Sequence, residues 1–357
     1  MLKYKKWLAG ACLAMAGAPA VAAVPADLGA RLADGYARPA VAALAERAHG
    51  LEDALAAWCQ SPQAARAEPV RQAFRDTVLA WSGVEFLRFG PLVQGNRYER
   101  LAFWPDTRGV MQRQVRALLA EADPQALAPG ALAARSVALQ GLPALEYVLY
   151  GEPGLLEQGG QAEAGYACRY AVAVAANVAA VSDELKQAWS PQGDYGRQFT
   201  APAPANDLYR DQQEVAAEAV KALSTGLQFA RDVKLAPVLG DSAEAARFKR
   251  AALWRSDLSL PALAASVRGM RAFYDAGGYR YPDGEAWIDQ AVRGELDRAA
   301  AALAAVDAPL EQAVAQPASW QRLALAGMIL KNAKDIVDQN LAPALGVMIG
   351  FNALDGD

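Results

Sequence analysis

Apolar residues recur every three or four positions from Asp27 to the end of the chain, in stretches rich in alanine. That spacing gathers them on one face of a 3.6-residue helix, so each run reads as an amphipathic helix. Alternating apolar and polar runs bounded by turn residues are nearly absent, which leaves little to build strands from. The pattern predicts long helices over about 27–60, 63–89, 110–122, 131–150, 163–190 and 206–236, and further ones near 243–254, 259–276, 283–304 and 318–346. The expected fold class is all-α.

Helix ends are legible in several places. Phe89-Gly90-Pro91 should halt a helix, since proline cannot continue one and glycine accepts a left-handed cap. Ser256 or Ser259 could cap the helix through Val267 and Phe273, which Gly277-Gly278 stops. Pro39 should kink or interrupt the first helix. The clearest internal break is Ser190-Pro191-Gln192-Gly193 through Ala201-Pro202-Ala203-Pro204-Ala205. It separates two blocks of similar size, each with enough helices for a four-helix bundle. The expected organisation is an N-terminal bundle over 24–190 and a C-terminal bundle over 191–357. Trp81-Ser82-Gly83-Val84-Glu85 and Trp254-Arg255-Ser256-Asp257 fall at comparable stages of the two blocks, a faint sign of duplication.

The first 23 residues read as a cleaved secretory signal. Lys3, Lys5 and Lys6 precede a small, apolar run over 8–23 that ends in two small-x-small sites. The run falls short of the ~20 residues a membrane helix needs and contains Pro19, and no later segment is long enough either. A lipoprotein anchor at Cys12 is the rival reading, but Ala9-Gly10-Ala11-Cys12 lacks the usual large aliphatic residue. Cleavage removes three of the 35 basic residues, leaving 32 against 39 acidic ones, a net charge near −7. Such a surface, without a basic block, argues against nucleic acid as a partner. Cys59 and Cys168 remain, and in an oxidising periplasm an isolated pair reads as a disulfide, because two thiolates cannot complete a zinc shell. There is one histidine, His49, beside Gly50 at a helix end. Histidine–aspartate–serine chemistry and multi-histidine metal sites are thereby excluded.

Gly141-Leu142-Pro143-Ala144-Leu145-Glu146, within 139–151, resembles the signature of the imelysin family. In that pattern a histidine stands two residues after the glycine, and a glutamate three residues further on faces the same polar site. Gly141 and Glu146 match; Pro143 holds the histidine position and offers no side-chain nitrogen to a metal. Trp81-Ser82-Gly83-Val84-Glu85 through Pro91, Phe103-Trp104-Pro105-Asp106-Thr107-Arg108-Gly109 and the closing segment 345–357 are similar to the family in the same order. The resemblance covers nearly the whole mature chain. It implies two packed helical bundles and a link to iron acquisition.

Glu146, Glu85, Arg88, Asp106, Arg108 and Trp104 are the candidate binding residues. Each has a plainer alternative. Glu146 could face water or pair with an arginine. Glu85 and Arg88, three apart, could form an ordinary surface pair. Asp106 could bond its own backbone in the proline turn, and Trp81 and Trp104 could simply pack. Asn352, Asp355 and Asp357 could form a calcium-like cluster or a turn of solvated acids. Gathered in one cleft, the six candidates would suit a small polar ligand, an iron-related species or an oxygen-ligated divalent cation or iron. The expectation is a periplasmic, non-catalytic binding component associated with iron uptake. The alternatives are a zinc-type metallopeptidase, which would need a carboxylate-only metal site, and a helical scaffold docking on an envelope protein.

Overall fold

The computed structural model describes residues 24–159, 164–282 and 284–348. The signal segment, Cys12 and Asn352, Asp355 and Asp357 lie outside the described residues. Within them the chain is helical, without strands, and no helix is long and apolar enough to cross a membrane. The helices that organise it are α1 (Leu28–Leu32), α2 (Arg38–Gln60), α3 (Glu68–Val84), α4 (Val110–Glu121), α5 (Gly141–Leu149) and α6 (Ala164–Trp189), followed by α7 (Asp194–Thr200), α8 (Gln212–Gln228), α9 (Ser259–Gly277), α10 (Trp287–Ala304) and α11 (Pro317–Ile336).

In the first half, α2 packs on both α3 and α6, and α5 lies on α6. Leu44, Leu51, Leu55, Phe74, Val78, Val174, Val178 and Val181 close the core between them. Cys59 and Cys168 are joined in a disulfide, with Cα atoms 5.7 Å apart and 109 residues between them. In the second half, α10 packs on α9 and α11, and α8 on α11. Val267, Phe273, Val292, Leu296, Leu323 and Leu330 fill that core.

The halves are packed on each other through small residues. Helix α3 crosses α9 where a side chain on Gly269 would collide with the Gly83 carbonyl at 2.8 Å and the Tyr36 hydroxyl at 2.5 Å. Tyr36 donates to that same Gly83 carbonyl. Helix α1, although N-terminal, packs on α7, α8 and α9. The proline-rich break around 190–205 contains α7, whose Tyr195 and Phe199 join Phe89, Trp189 and Tyr209 in a buried aromatic cluster. The connection between the halves is therefore packed.

Pro39 does not interrupt the first helix as expected. A wide π-helical turn, Ala33–Ala37, ends two residues before it and carries the chain from α1 into α2. The same arrangement recurs at Phe229–Leu235 before Pro237 and at Val337–Leu341 before Pro343. Proline has no N–H to donate and its ring crowds the carbonyl four residues back, so a widened turn at that point relieves both faults. Three other expectations are corrected. The helix over 63–89 stops at Val84. The stretch 131–150 is two 3₁₀ turns and then α5, because Gly141 enters with φ +78°. The segment 243–254 is irregular apart from Phe248–Arg250, and Leu253 and Asp257 adopt left-handed backbone that no α-helix contains.

Candidate functional site

Helix α5 begins hard against the backbone of Arg97–Leu101. A side chain at Gly141 would stand 2.4 Å from the Leu101 carbonyl oxygen, so the close approach and the positive φ both require glycine. Pro143 is the third residue of the helix, where the amide would have no intrahelical acceptor, so proline costs no hydrogen bond there. One turn later comes Glu146, only 3 % exposed.

Glu146 does not face water. Its Oε1 accepts from the backbone amide of Ser256 at 2.9 Å and from the Ser256 hydroxyl at 2.8 Å. Leu253 and Asp257, at φ 61° and 55°, bend the 251–258 segment so that it presents these donors. Backbone strain of this kind costs about 1–3 kcal/mol per residue and persists only where the surroundings enforce it. Burial pushes the Glu146 carboxyl above its usual range near 4.5; the Ser256 donors and the nearby Arg255 oppose that shift.

Glu146 lines a cleft of about 640 Å³ between the halves. Trp104, Asp106 and Pro143 stand on its first-half wall; Asp232, Lys249, Arg250, Trp254 and Arg255 stand on the other. The π-helical turn Phe229–Leu235 supplies Asp232 to the wall. The acids are already engaged. Both oxygens of Asp106 accept amides of α4, Val110 and Met111, at 2.8 Å. Asp232 pairs with Arg231 at 2.7 Å. The cations are not: among the described residues none of Lys249, Arg250 and Arg255 is in an ion pair. Instead Lys249 and Arg255 sit over the Trp254 ring, 5.2 and 4.3 Å from its centroid, and Arg255 lies 5.1 Å from that of Tyr147.

The six sequence-predicted residues are thus divided. Trp104, Asp106 and Glu146 share the cleft. Glu85, 4 % exposed, lies in a small adjoining pocket that shares Trp104, Pro143, Ala252 and Leu253 with it. Glu85 is not a surface partner of Arg88: it forms a buried ion pair with Lys234 of the second half. Arg88 is stacked between Tyr98 and Phe229, 4.0 and 3.8 Å from their centroids. Arg108 is exposed and does not line the cleft. Asp106 takes the plainer role of helix cap. Trp81 is buried against Tyr98. The second-half wall was largely invisible to sequence reasoning; its one trace was the pairing of Trp254-Arg255-Ser256-Asp257 with the Trp81 segment. The two tryptophans are not equivalent in place, since Trp81 is core and Trp254 lines the cleft.

Comparison with known proteins agrees with the fold. No curated protein matches the chain. Among solved structures, it is similar to an imelysin-like protein from Psychrobacter arcticum 273-4, with 20 % identity, a TM-score of 0.70, and 93 % of this chain and 99 % of that one covered. It is also similar to a "putative iron-regulated protein A precursor" from Parabacteroides distasonis ATCC 8503, with 14 % identity, a TM-score of 0.68, and coverage of 87 % and 93 %. At such identities these neighbours speak for the fold alone. The family assignment rests on the sequence: the imelysin pattern runs through residues 36–334, from the first π-helical turn to the last turn of α11 and across both walls of the cleft, and the chain belongs to the imelysin family.

Proposed function

We propose that this protein is a non-catalytic binding component of the bacterial cell envelope, and that its inter-half cleft takes a small polar ligand carrying negative charge. The observation that carries this reading is the imbalance in the cleft. Its three acids are occupied by Ser256, the amides of α4 and Arg231, while Lys249, Arg250 and Arg255 are in no ion pair among the described residues, Arg255 acting on Glu146 only through space. An anion entering there meets cations whose water the tryptophan and tyrosine faces have partly displaced. The export segment over 1–23 and a disulfide suited to an oxidising compartment support an envelope location. A link to iron is supported by the name of the Parabacteroides neighbour. A carboxylate chelate of iron has the charge and size the cleft favours.

The peptidase reading requires a metal, and the residues present do not fit one. Pro143 stands where a ligand nitrogen would be needed. One Glu146 oxygen is held by two Ser256 donors, and both Asp106 oxygens are held by helix amides. Among the described residues no three of histidine, cysteine, aspartate and glutamate are grouped to hold an ion. Titration calorimetry with citrate and with ferric citrate tests the proposal. Arg255→Gln is expected to weaken binding of whichever probe gives heat by about tenfold, the loss of one charge-assisted contact of about 1.4 kcal/mol. Glu146→Gln removes an ionisable acid from beside the anion and should leave that affinity equal or raised, with helicity unchanged. Binding equal to wild type in Arg255→Gln would refute the cleft.

A further inference from the structure

A second concavity lies entirely in the first half and shares no residue with the cleft. It is a groove of about 1080 Å³ between α2, α6 and the segment Pro124–Ala133. Its floor follows one face of α6 from Gly165 to Glu184, nineteen residue steps, or about 28 Å of helix at 1.5 Å per residue. Its lining is mostly methyl groups and short aliphatic chains, among them Ala56, Leu127, Leu132, Val172 and Ala176, with the exposed Arg169 near the end opposite Arg100. A largely apolar groove of this length matches an extended hydrocarbon chain better than a compact polar molecule.

One end of the groove carries a guanidinium, that of Arg100, whose one carboxylate partner, Glu184, is shared with Arg97. The Arg100 side chain is 15 % exposed, and its Nε is sealed from solvent without an acceptor. Its terminal nitrogens reach Glu184 at 3.4 Å and Asn177 at 3.5 Å, both at the weak limit of hydrogen bonding. Glu184 is committed more closely to Arg97, at 2.7 Å. Asn177 uses its amide nitrogen on Gln140. Glu52, the other acid on the groove, lies 3.7 Å from His49. A desolvated cation at the head of an apolar trough is the pattern that recognises an amphiphile with an anionic end.

We infer that this groove binds a straight-chain carboxylate amphiphile, a long-chain fatty acid, with its carboxylate at Arg100 and its chain along the alanine face of α6. The inference is independent of the cleft. The test is a calorimetric or fluorescent-probe displacement titration of palmitate, below its aggregation range, into the intact disulfide-bonded protein, with hexadecanol as the uncharged control. Saturable palmitate binding is expected. Arg100→Gln should lower palmitate affinity at least tenfold with little change for hexadecanol. Ala176→Phe, at a half-exposed position, should obstruct the trough and weaken both probes at unchanged thermal stability. Glu146→Gln should leave palmitate binding as it is. Absence of saturable binding overturns the inference, and so does palmitate affinity that Ala176→Phe does not reduce. An equal loss of both probes in Arg100→Gln would overturn the assignment of the head group.

Discussion

Glu146 shows how one side chain can be legible in kind and illegible in setting. Its place in the motif marked it as the residue to watch, but its neighbours in sequence left its exposure open. The structure buries it against Ser256, 110 residues away. Burial raises its folded-state pKa, so the folded chain holds this proton more tightly than the unfolded chain does. The sign follows from linkage. The stabilising contribution is fully present below the unfolded value near 4.5 and is lost as pH rises through the raised folded value. Glu218, raised mainly by burial, acts in the same direction. Glu146→Gln cannot ionise, so its melting temperature should fall less than that of wild type as pH is raised from about 4.5 toward neutrality. Parallel melting curves for the two proteins across that range, by calorimetry, would refute a buried ionisable role. The other candidates fared according to how local their partners were. Asp106 bonds within five residues, as a proline turn suggests. Glu85 finds Lys234, which no local rule could supply.

At the scale of elements, the hydrophobic period located most helices, and the misses came from backbone geometry imposed by distant contacts. Helix α5 is the clearest case. The apolar pattern of 131–150 suits one long helix, yet the chain starts α5 only at Gly141, because there the backbone must turn left-handed and touch Leu101. Gly141→Ala should therefore cost about 2–3 kcal/mol in urea unfolding, combining positive-φ strain with the clash. A change below about 0.5 kcal/mol would mean that the approach to Leu101 is not enforced. The π-helical turns belong to this scale too. Each proline was visible, but a proline in a helical pattern can mean a stop, a kink or a wide turn, and the packing of the flanking segments selects among these.

For the whole molecule, the question is what holds the two halves in register around the cleft. The Gly83–Gly269 crossing lets α3 and α9 meet at backbone distance. Beside it the Glu85–Lys234 pair spans the halves with side chains only 5 % and 12 % exposed. A buried pair adds little over a well-packed apolar substitute, but removing one partner strands the other charge. Lys234→Met should destabilise the protein by about 3–5 kcal/mol, and adding Glu85→Gln should recover most of that loss; denaturant titrations of the three proteins measure both terms. If the single variant unfolds at the wild-type midpoint, the pair does not fasten the halves.

Taken alone, the sequence determined the properties that depend on residue type and short spacing. These include the helical class, the presence of a single imidazole, the pairing of Cys59 with Cys168, and the glycine–proline–glutamate segment that marks the family. Tertiary structure alone decided which face each carboxylate meets and which cations border the cleft. Lys249, Arg250, Arg255 and Ser256 come to Glu146 through more than a hundred intervening residues, on a segment whose left-handed turns follow no periodic rule. Helical period records burial along one element. The charge balance of a cleft is set between elements, where separation in sequence carries no information about distance in space.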